Sequence, residues 1–359
     1  SGTILNHERY KNKKKLLGLN HPIFISAEIG VTCNGDISLT KELIDAAKMA
    51  EADAVKLIFW FPEEIMKKNN KIYSYEIIKN NKTVLIKENM FEMLTKLKFS
   101  LEEWFQIKEY ADKKKIILFS TVNSPSGLNY AKKLKLDAYK MSSWDFNYLP
   151  LWEEIKNVSK PIIIDTGPVF KSELSKVVNI LKKNKKNEIL LVHCFHTEKL
   201  NEMNMLTIPY LRSKYNCNVG FSPSGRDIKQ DIIATSLGSV YLEKRLTISR
   251  NLPGHHHILS LEPKELSNYV KEIKNIKEIL GHKDLTPSKA DLKDRKLFFR
   301  HMAAKKNIKK GEILHKDSIT FLRPEKGVSP IFVKKFLGKK VLSNINVGDA
   351  IRFKDIGLK

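Results

Sequence analysis

The chain has 359 residues, of which 42% are hydrophobic and 29% charged, with 13 prolines and 16 glycines. This composition is typical of a globular protein of about two domains, and it excludes collagen-like and low-complexity disordered chains. The 64 Lys and Arg against 40 Asp and Glu give a net charge of +24, which favours anionic partners: nucleic acid, a membrane surface, or small phosphorylated or carboxylated molecules.

The first 280 residues or so alternate β-branched runs with segments of helical periodicity. The first run, Ile23–Ile29, is followed by a helical stripe between Leu39 and Ala50, for which Ser38 is available as the N-cap. Strand-like runs then recur seven times, with helix-period segments between most of them. These runs are 54–58, 115–121, 137–141, 161–165, 188–194, 217–222 and 239–243.

Eight strand–helix units predict a (β/α)8 TIM barrel, in which parallel strands are buried as continuous apolar runs and function lies at their C-terminal ends. The alternative is an open doubly wound sheet, but no GxGxxG or P-loop follows any of the runs. An amphipathic helix from Leu266 to Leu280, with Gly281 as its C′ residue, is expected to close this barrel domain, residues 1–282.

A small second domain follows the barrel. Residues 283–296 carry almost no apolar side chains and are interpreted as a linker. Residues 297–359 contain a near-repeat, in which Asn307–Leu314 resembles Asn344–Ile351, and each copy places a turn glycine between short strands. About 60 residues is a marginal size for independent stability, so we expect this β-rich domain to dock against another surface.

The distribution of charge and cysteine narrows the compartment and the partners. Lysine is spread along the chain as on a solvated surface, so nucleic-acid binding is not expected. The sequence contains no run of 18 apolar residues, so we expect no membrane-spanning helix. The three cysteines, Cys33, Cys194 and Cys217, form neither a CxxC pair nor a disulfide framework. We therefore expect a reduced, cytoplasmic protein.

Charged and polar side chains collect at the C-terminal ends of the predicted strands. A barrel mouth with several cations, a few carboxylates and one imidazole suits an anionic substrate that carries phosphate and carboxylate groups. These strand-end residues are Glu28, Lys56, Thr121, Lys140, Ser142, Ser143, Asp165, Thr166, Gly167, His193, Cys194, Ser222, Glu243, Lys244 and Arg245.

Each of these residues also has a simpler structural explanation. Glu28 and Lys56 could form an ion pair at the rim, and His193 could be a core histidine with satisfied hydrogen bonds. The consecutive histidines 255–257 could bind a metal, but neighbours on a loop cannot all face one ion, so a solvated loop is favoured. The convergence of the strand ends is what indicates a substrate site.

A string of short motifs runs along nearly the whole chain. It comprises Ala27–Val31, Ala54–Lys56, Ser120–Thr121, Ala138–Lys140, Asn147–Leu151, Lys160–Ile163, Val192–Cys194, Leu242–Lys244, Leu252–Gly254, Ser260–Pro263 and Arg323–Pro324. In these motifs, and in their order and spacing, the chain resembles the sialic acid synthases, which include the synthases of N-acetylneuraminate and of legionaminic and pseudaminic acids. No single motif is decisive, but the string of them is specific.

The resemblance implies a barrel followed by a C-terminal antifreeze-like (SAF) domain over residues 297–359. It implies a domain-swapped homodimer, in which the small domain of one chain covers the barrel mouth of the other. The implied reaction condenses phosphoenolpyruvate with an open-chain N-acylated amino sugar to give a nine-carbon 2-keto-3-deoxy acid, and it releases phosphate. The implied cofactor is a divalent metal, Mn²⁺ or Mg²⁺, which polarises the aldehyde.

The resemblance also implies roles for individual residues. Lys56 and Lys140 would bind the phosphate and carboxylate of phosphoenolpyruvate, and Glu28 would hold sugar hydroxyls or move a proton near the aldehyde. Arg323, from the partner's SAF domain, would contact the N-acyl group, and His193 would be one of two metal ligands. The other implied site residues are Asp145, as a catalytic residue, and Thr121, Ser143, Asp165, Thr166, Arg226 and Arg245, as substrate-binding residues.

The chain departs from the family pattern around the metal and the sugar. Ser224 stands where the second metal histidine is usual, Asp165 stands at a serine position, and Phe195–Glu198 replaces a segment that touches substrate. A synthase with an unusual acceptor is favoured; the alternatives are a related aldol-type enzyme and a non-catalytic sugar-binding or regulatory protein. For the metal, the open possibilities are a centre rebuilt from His193 with His196, His257 or Asp227, carbonyl polarisation by Arg226 or Arg245, and lost or changed chemistry.

Overall fold

A computed structural model describes residues 3–6, 14–223 and 225–358. The chain divides between Gly281 and His282 into two compact units, each with its own hydrophobic core. Within the described ranges, no helix has both the length and the apolar character needed to cross a membrane.

The described residues form fourteen strands and twelve α-helices. The strands are β1 (Thr3–Asn6), β2 (Lys14–Leu17), β3 (Phe24–Glu28), β4 (Ala54–Ile58), β5 (Ile72–Lys79), β6 (Lys82–Asn89), β7 (Ile117–Thr121), β8 (Tyr139–Met141), β9 (Ile162–Asp165), β10 (Ile189–His193), β11 (Asn218–Phe221), β12 (Tyr241–Arg245), β13 (His301–Ala304) and β14 (Ile319–Leu322). The helices are α1 (Ile37–Met49), α2 (Pro62–Ile65), α3 (Met90–Lys96), α4 (Leu101–Lys114), α5 (Pro125–Lys133), α6 (Leu149–Ile155), α7 (Lys171–Lys182), α8 (Thr207–Tyr215), α9 (Lys229–Ser236), α10 (Pro263–Leu280), α11 (Lys289–Phe298) and α12 (Val333–Phe336).

Eight parallel strands close into a barrel in the order β3, β4, β7, β8, β9, β10, β11 and β12, with β12 paired back to β3. The TIM-barrel prediction is confirmed, and each of the eight predicted runs overlaps one barrel strand. Strands β3, β7 and β10 are buried along their whole length. Burial on both faces explains why these strands are continuous apolar runs and show no polar alternation.

Successive residues of each barrel strand face two different cores. Phe24, Phe119 and Tyr241 belong to a cluster drawn from six of the strands, which identifies it as the interior of the barrel. Their neighbours Ile25 and Leu118 belong to the larger cluster that includes the helices outside the barrel. Because side chains alternate between the two faces of a strand, an even spacing from an interior residue indicates a side chain that points inward.

The ends of the predicted helices are partly corrected by the structure. Helix α1 begins at Ile37, and the side chain of Asp36 accepts a hydrogen bond from the backbone N–H of Leu39 at 2.8 Å. The prediction of Ser38 as the N-cap is therefore wrong, because Asp36 already satisfies an unpaired amide of the first turn. Helix α10 ends at Leu280, and Gly281 follows it with a φ of +58°, as predicted.

An antiparallel hairpin, β5–β6, is inserted between the second and third strands of the barrel and was not predicted. Its turn consists of Asn80 and Asn81, with φ of +51° and +58°. Asparagine tolerates this left-handed conformation, and two such residues in succession match the twist of the flanking strands. The Tyr73 hydroxyl of the hairpin lies 2.9 Å from Nε2 of His255, which ties the hairpin to the loop after β12.

The second unit contains the short β13–β14 pair and several isolated bridges, in agreement with the predicted β-rich domain. The two copies of its near-repeat bond to each other reciprocally: Asn307 Oδ1 accepts from the Val347 amide at 2.8 Å, and Asn344 Oδ1 accepts from the Lys310 amide at 2.7 Å. Most of the predicted linker is helical, because α11 begins after Ser288, whose side chain caps it. The residues of α11 are all exposed.

Candidate active site

Seven polar side chains point into the barrel at the C-terminal ends of its strands. Each lies two or four residues after a member of the interior cluster. That member is on the same strand or, for Lys140, is the residue just before the strand. They are Glu28, Lys56, Thr121, Lys140, Asp165, Glu243 and Arg245. Six of them are predicted site residues, and we refer to the seven as the mouth cluster.

The Glu243 carboxylate links the two lysines of the mouth cluster. Oε1 lies 3.4 Å from Nζ of Lys56, and Oε2 lies 2.7 Å from Nζ of Lys140. The Tyr241 hydroxyl donates a further hydrogen bond to Oε2 at 2.6 Å. Sequence reasoning counted Glu243 among the strand ends but gave it no role. The alternation of Tyr241, Glu243 and Arg245 along one strand is the signal that could have found it.

The remaining contacts join the cations to the other two carboxylates. Lys140 Nζ lies 3.0 Å from Asp165 Oδ1, and Lys56 Nζ lies 3.5 Å from Glu28 Oε1. Arg245 Nε lies 3.9 Å from the second oxygen of Glu28. The mouth cluster therefore combines three cations with three carboxylates, and its formal charge is zero when all six groups are ionised.

Two contacts fix the Lys56 side of the mouth cluster. Lys56 donates a hydrogen bond to the Thr121 hydroxyl at 3.3 Å. The Gly30 amide donates to Glu28 Oε1 at 2.8 Å. A Cβ atom on Gly30 would lie 2.6 Å from Cγ1 of Ile58 and 2.8 Å from the backbone nitrogen of Ile58. Glycine is therefore needed for this close approach, which holds the Glu28 carboxylate in place.

Burial and charge move the pKa values of the mouth cluster in different directions. Burial opposes the ionisation of Glu243, but the ammonium groups of Lys140 and Lys56 hold the pKa of its carboxyl down to about 2. Burial raises the pKa of Asp165, and attraction to Lys140 offsets this only in part. For Lys140, burial alone would lower the pKa, but Asp165 and Glu243 raise it above the usual range. Of the two carboxyl groups paired with Lys140, Asp165 therefore takes up a proton more readily.

The loops after β8 and β9 bring other predicted residues to the rim. Ser143 is buried in a 3-10 turn over Ser143–Asp145, and burial raises the pKa of Asp145 to about 6. A Cβ atom on Gly167 would lie 2.6 Å from Ser143 Oγ, so the two loops touch. Thr166 lies beside this contact, but its hydroxyl donates to the backbone carbonyl of Val192 at 3.1 Å.

His193, predicted as a metal ligand, does not join the mouth cluster. It shares the outward orientation of Leu191 on β10, which belongs to the core between strands and helices. Its ring stacks with Phe221, and its Nε2 lies 2.8 Å from the Met203 carbonyl oxygen. Burial lowers the pKa of the imidazole. These contacts match the simpler explanation of His193 as a core histidine with satisfied hydrogen bonds.

The loop with three consecutive histidines is held in place by hydrogen bonds. His257 is buried, with Nδ1 2.7 Å from the Thr247 hydroxyl and Nε2 3.0 Å from Oδ1 of Asn34. The prediction of a solvated loop is therefore wrong for His257. Both of its ring nitrogens are engaged, so neither is free to bind a metal.

The described donors do not fit a metal centre built from three or more protein ligands. Among the residues the structure describes, no group of three or more His, Cys, Asp or Glu side chains is placed to hold an ion. The His196 ring lies tilted against Trp144, with ring centroids 4.5 Å apart, and Asp227 is exposed. Ser224 lies outside the described residues. Mn²⁺ or Mg²⁺ therefore stays a prediction of the resemblance.

The predicted arginines occupy three different places. Arg245 belongs to the mouth cluster, whereas Arg226 is exposed in the loop after β11. The pKa of Glu265 on α10 is lowered mainly by a hydrogen bond from Arg250, and Arg226 adds to this effect. Arg226 therefore lies near α10. Arg323 is exposed in the second unit, directly after β14.

Lys244, which the sequence places among the strand ends, points outward between the inward residues of β12. Its Nζ lies 2.9 Å from Oδ2 of Asp231, and both side chains are almost fully buried. The Tyr269 hydroxyl donates to the other oxygen of Asp231 at 2.6 Å. This contact joins β12 to helices α9 and α10 and has no part in the mouth cluster.

A cavity of about 430 Å³ borders the ends of β9 and β10. Thr166 and Cys194 line it from the strand ends, and Lys171 and Tyr210 line it from α7 and α8. Its wall combines apolar with polar side chains, which suits a polar organic group.

Comparison with known proteins confirms the resemblance. Residues 43–285 match the NeuB family, and residues 300–357 match the SAF domain. The N,N'-diacetyllegionaminic acid synthase of Campylobacter jejuni is 31% identical over 332 residues, which cover 91% of this chain and 98% of that protein. A pseudaminic acid synthase of Campylobacter jejuni is 29% identical over 335 residues, covering 93% and 96% of the two chains. The crystal structure of N-acetylneuraminic acid (sialic acid) synthetase from Leptospira borgpetersenii superposes with a TM-score of 0.70 at 28% identity, covering 81% of this chain and 96% of that chain. The chain therefore belongs to the NeuB family and carries a C-terminal SAF domain.

Proposed function

We propose that the chain is a nonulosonic acid synthase, which condenses phosphoenolpyruvate with an open-chain N-acylated amino sugar and releases phosphate. The observation that carries this proposal is the pair of buried ammonium groups of Lys56 and Lys140, held on either side of the Glu243 carboxylate. Two cations at a fixed separation suit a small molecule with two anionic groups. Membership of the NeuB family supports the same class of reaction.

In this reaction the enol carbon C3 of phosphoenolpyruvate bonds to the aldehyde carbon of the sugar. Water adds at C2, and phosphate departs as the bond between C2 and the bridging oxygen breaks. The products are one 2-keto acid and one inorganic phosphate, so the atoms of phosphoenolpyruvate, aldehyde and water are conserved. Negative charge develops on the aldehyde oxygen, and a positioned cation or proton donor must stabilise it.

The mouth cluster divides into two sides that match the two substrates. Lys56 and Lys140 are the proposed ligands of the phosphate and carboxylate, with the Thr121 hydroxyl beside Lys56. Glu28 and Arg245, which lie 3.9 Å apart, are proposed for the aldehyde side. Arg245 is a better candidate than Arg226 for polarising the carbonyl, because it belongs to the cluster.

Ser143, Asp145 and Thr166 complete the proposed site at its rim. Asp145 is the proposed acid for the departing phosphate, because its pKa of about 6 leaves part of it protonated near neutral pH. Its turn begins three residues after Lys140.

The quaternary structure is part of the proposal. The resemblance implies a domain-swapped homodimer in which the partner's Arg323, on the SAF domain, contacts the sugar. Light scattering of the purified protein tests the dimer, and a mass of one chain would contradict it. Substitution Arg323→Ala tests the contact, since loss of that contact raises the acceptor KM.

Phosphate release in the presence of phosphoenolpyruvate and a panel of N-acylated hexosamines tests the proposed function. We expect release only when an acceptor is present, and a new 2-keto-3-deoxy acid detectable by mass spectrometry. Each assay is run with Mn²⁺, with Mg²⁺ and with neither. Release with acceptors that lack the N-acyl group would favour the related aldol-type enzyme, and no release with any acceptor would favour the sugar-binding protein.

A further inference from the structure

We infer that Asp165 occupies an anion position on Lys140 in the free protein and gives it up when phosphoenolpyruvate binds, taking up one proton. Binding of this substrate is then coupled to protonation of Asp165. The inference rests on the proposed function, because it takes phosphoenolpyruvate as the ligand of Lys140.

The geometry places Asp165 where an anionic ligand of Lys140 must lie. Lys140 Nζ has two carboxylate partners, Glu243 at 2.7 Å and Asp165 at 3.0 Å. The Lys140 side chain is 1% exposed, and Glu243 is 6% exposed. Asp165 is 19% exposed, so it lies on the side of Lys140 from which a ligand arrives. A ligand that reaches Lys140 from the mouth therefore meets the Asp165 carboxylate first.

The charge of the mouth cluster gives the reason for proton uptake. Its three cations are already balanced by Glu28, Asp165 and Glu243. Phosphoenolpyruvate adds one carboxylate charge and a phosphate charge of about −1.5 to −2 at pH 7. Adding these charges to a neutral, largely buried cluster costs free energy unless one resident carboxylate is neutralised. Protonation of Asp165 removes one negative charge and frees Lys140 for the ligand.

The groups that face Asp165 do not take this proton themselves. The raised pKa of Lys140 means that it already carries its proton, and the pKa of about 2 keeps Glu243 ionised. Burial raises the pKa of the Cys194 thiol to about 12 and lowers that of the His196 imidazole. Burial also raises the pKa of the Tyr241 phenol. Burial instead raises the pKa of Asp165 itself above its ordinary value, so Asp165 takes the proton. The six facing groups are Lys56 on β4, Lys140 on β8, Cys194 and His196 after β10, and Tyr241 and Glu243 on β12.

The exchange is balanced in charge and atoms. The Asp165 carboxylate and a proton from solvent become a carboxylic acid, and the Lys140 ammonium changes its partner from Asp165 to an oxygen of phosphoenolpyruvate. No covalent bond of the substrate changes in this step. The predicted signature is an affinity that weakens as pH rises, because the proton becomes scarcer.

Isothermal titration calorimetry of the full chain with phosphoenolpyruvate between pH 7.5 and 9 tests the inference. The substrate's phosphate, with a second pKa of about 6, is already ionised in this range. For the wild-type protein we expect Kd to rise up to about tenfold per pH unit, and binding enthalpies in bicine and Tris buffers that indicate uptake of up to one proton. The measurement of proton uptake from the two buffers uses the wild-type protein alone.

Asp165→Asn is the decisive variant, and Asp317→Asn, at an exposed position of the second unit, is its matched control. Asp165→Asn should bind phosphoenolpyruvate at least tenfold more tightly than wild type at pH 8.5, with a Kd that no longer depends on pH. Asp317→Asn should keep the wild-type pH dependence. Binding by wild type without proton uptake, or an unchanged pH dependence in Asp165→Asn, would overturn the inference alone. No binding by either protein at any pH would overturn the proposed function itself.

Discussion

Substitution of two buried lysines of the barrel can distinguish a role in binding from a role in structure. Lys140 and Lys244 are each 1% exposed, and each is paired with an aspartate, at 3.0 Å and 2.9 Å. Lys140 points into the mouth cluster, whereas Lys244 points outward toward α9 and α10. We compare Lys140→Met with Lys244→Met, which remove the same charge and keep most of the side-chain volume.

Both substitutions should destabilise the protein, and Lys140→Met by at least as much as Lys244→Met, because Lys140 pairs with two carboxylates and Lys244 with one. Removing one partner of a buried ion pair costs about 3 to 5 kcal/mol, because an uncompensated charge is left behind. Native domains have about 5 to 15 kcal/mol of stability, so a folded fraction remains available for measurement. Urea denaturation monitored by circular dichroism gives the loss for each variant.

Binding of phosphoenolpyruvate should distinguish the two variants. A hydrogen bond to a charged group contributes about 1.5 to 3 kcal/mol, so Lys140→Met should raise Kd by about 10- to 150-fold. Lys244→Met should change Kd less than about twofold, since the Lys244 ammonium group pairs with Asp231, outside the mouth cluster. Calorimetry on the folded fraction measures both constants. Equal loss of affinity in the two variants, or wild-type affinity in Lys140→Met, would refute the assignment of Lys140 to the anion site.

Two further predictions concern the other side of the mouth cluster and the metal. Gly30→Ala should destabilise the protein and lower kcat, because the new Cβ would lie 2.8 Å from the Ile58 backbone nitrogen and 2.9 Å from the Glu28 carboxylate. Urea denaturation measures the loss of stability, and phosphate release measures kcat. Wild-type values in both assays would contradict this prediction. The protein should retain no stoichiometric Mn²⁺ after gel filtration, because Nε2 of His193 faces the Met203 carbonyl oxygen. Electron paramagnetic resonance measures the bound Mn²⁺. One tightly bound Mn²⁺ per chain would contradict this prediction.

The barrel could be predicted from the sequence because its strands are marked by composition. Runs such as Ile189–His193 are apolar and β-branched, and buried parallel strands have this pattern. The hairpin β5–β6 also carries a signal, since alternating residues flank Asn80–Asn81, but it interrupts the expected succession of strand and helix. A search for successive strand–helix units passes over such an insertion.

Charged residues that interrupt apolar strands mark most of the mouth cluster in the sequence, whereas the direction in which each side chain points has to come from the structure. Lys56 and Lys140 are conspicuous in the sequence because a lysine in a buried strand needs partners. The role of His193 as a metal ligand stays a prediction. Its outward orientation could not be read from the sequence, because a shift of one residue in the alternation separates the inside of the barrel from the outside. Glu243 links Lys56 and Lys140, and this link could not be predicted because the three residues lie on strands that are distant in sequence.

The last strand of the barrel carries ionised side chains on both of its faces. Glu243 and Arg245 point inward, while Lys244 between them points outward to Asp231. If β12 slipped by one residue against its neighbours, Lys244 would enter the mouth, and Glu243 would lie in the apolar layer beneath the helices. Both ion-pair networks would be lost at once. An apolar strand at this seam could slide at small cost, whereas here the closure of the barrel has one tolerable alignment. That alignment places Glu243 and Arg245 in the mouth cluster and Lys244 against Asp231.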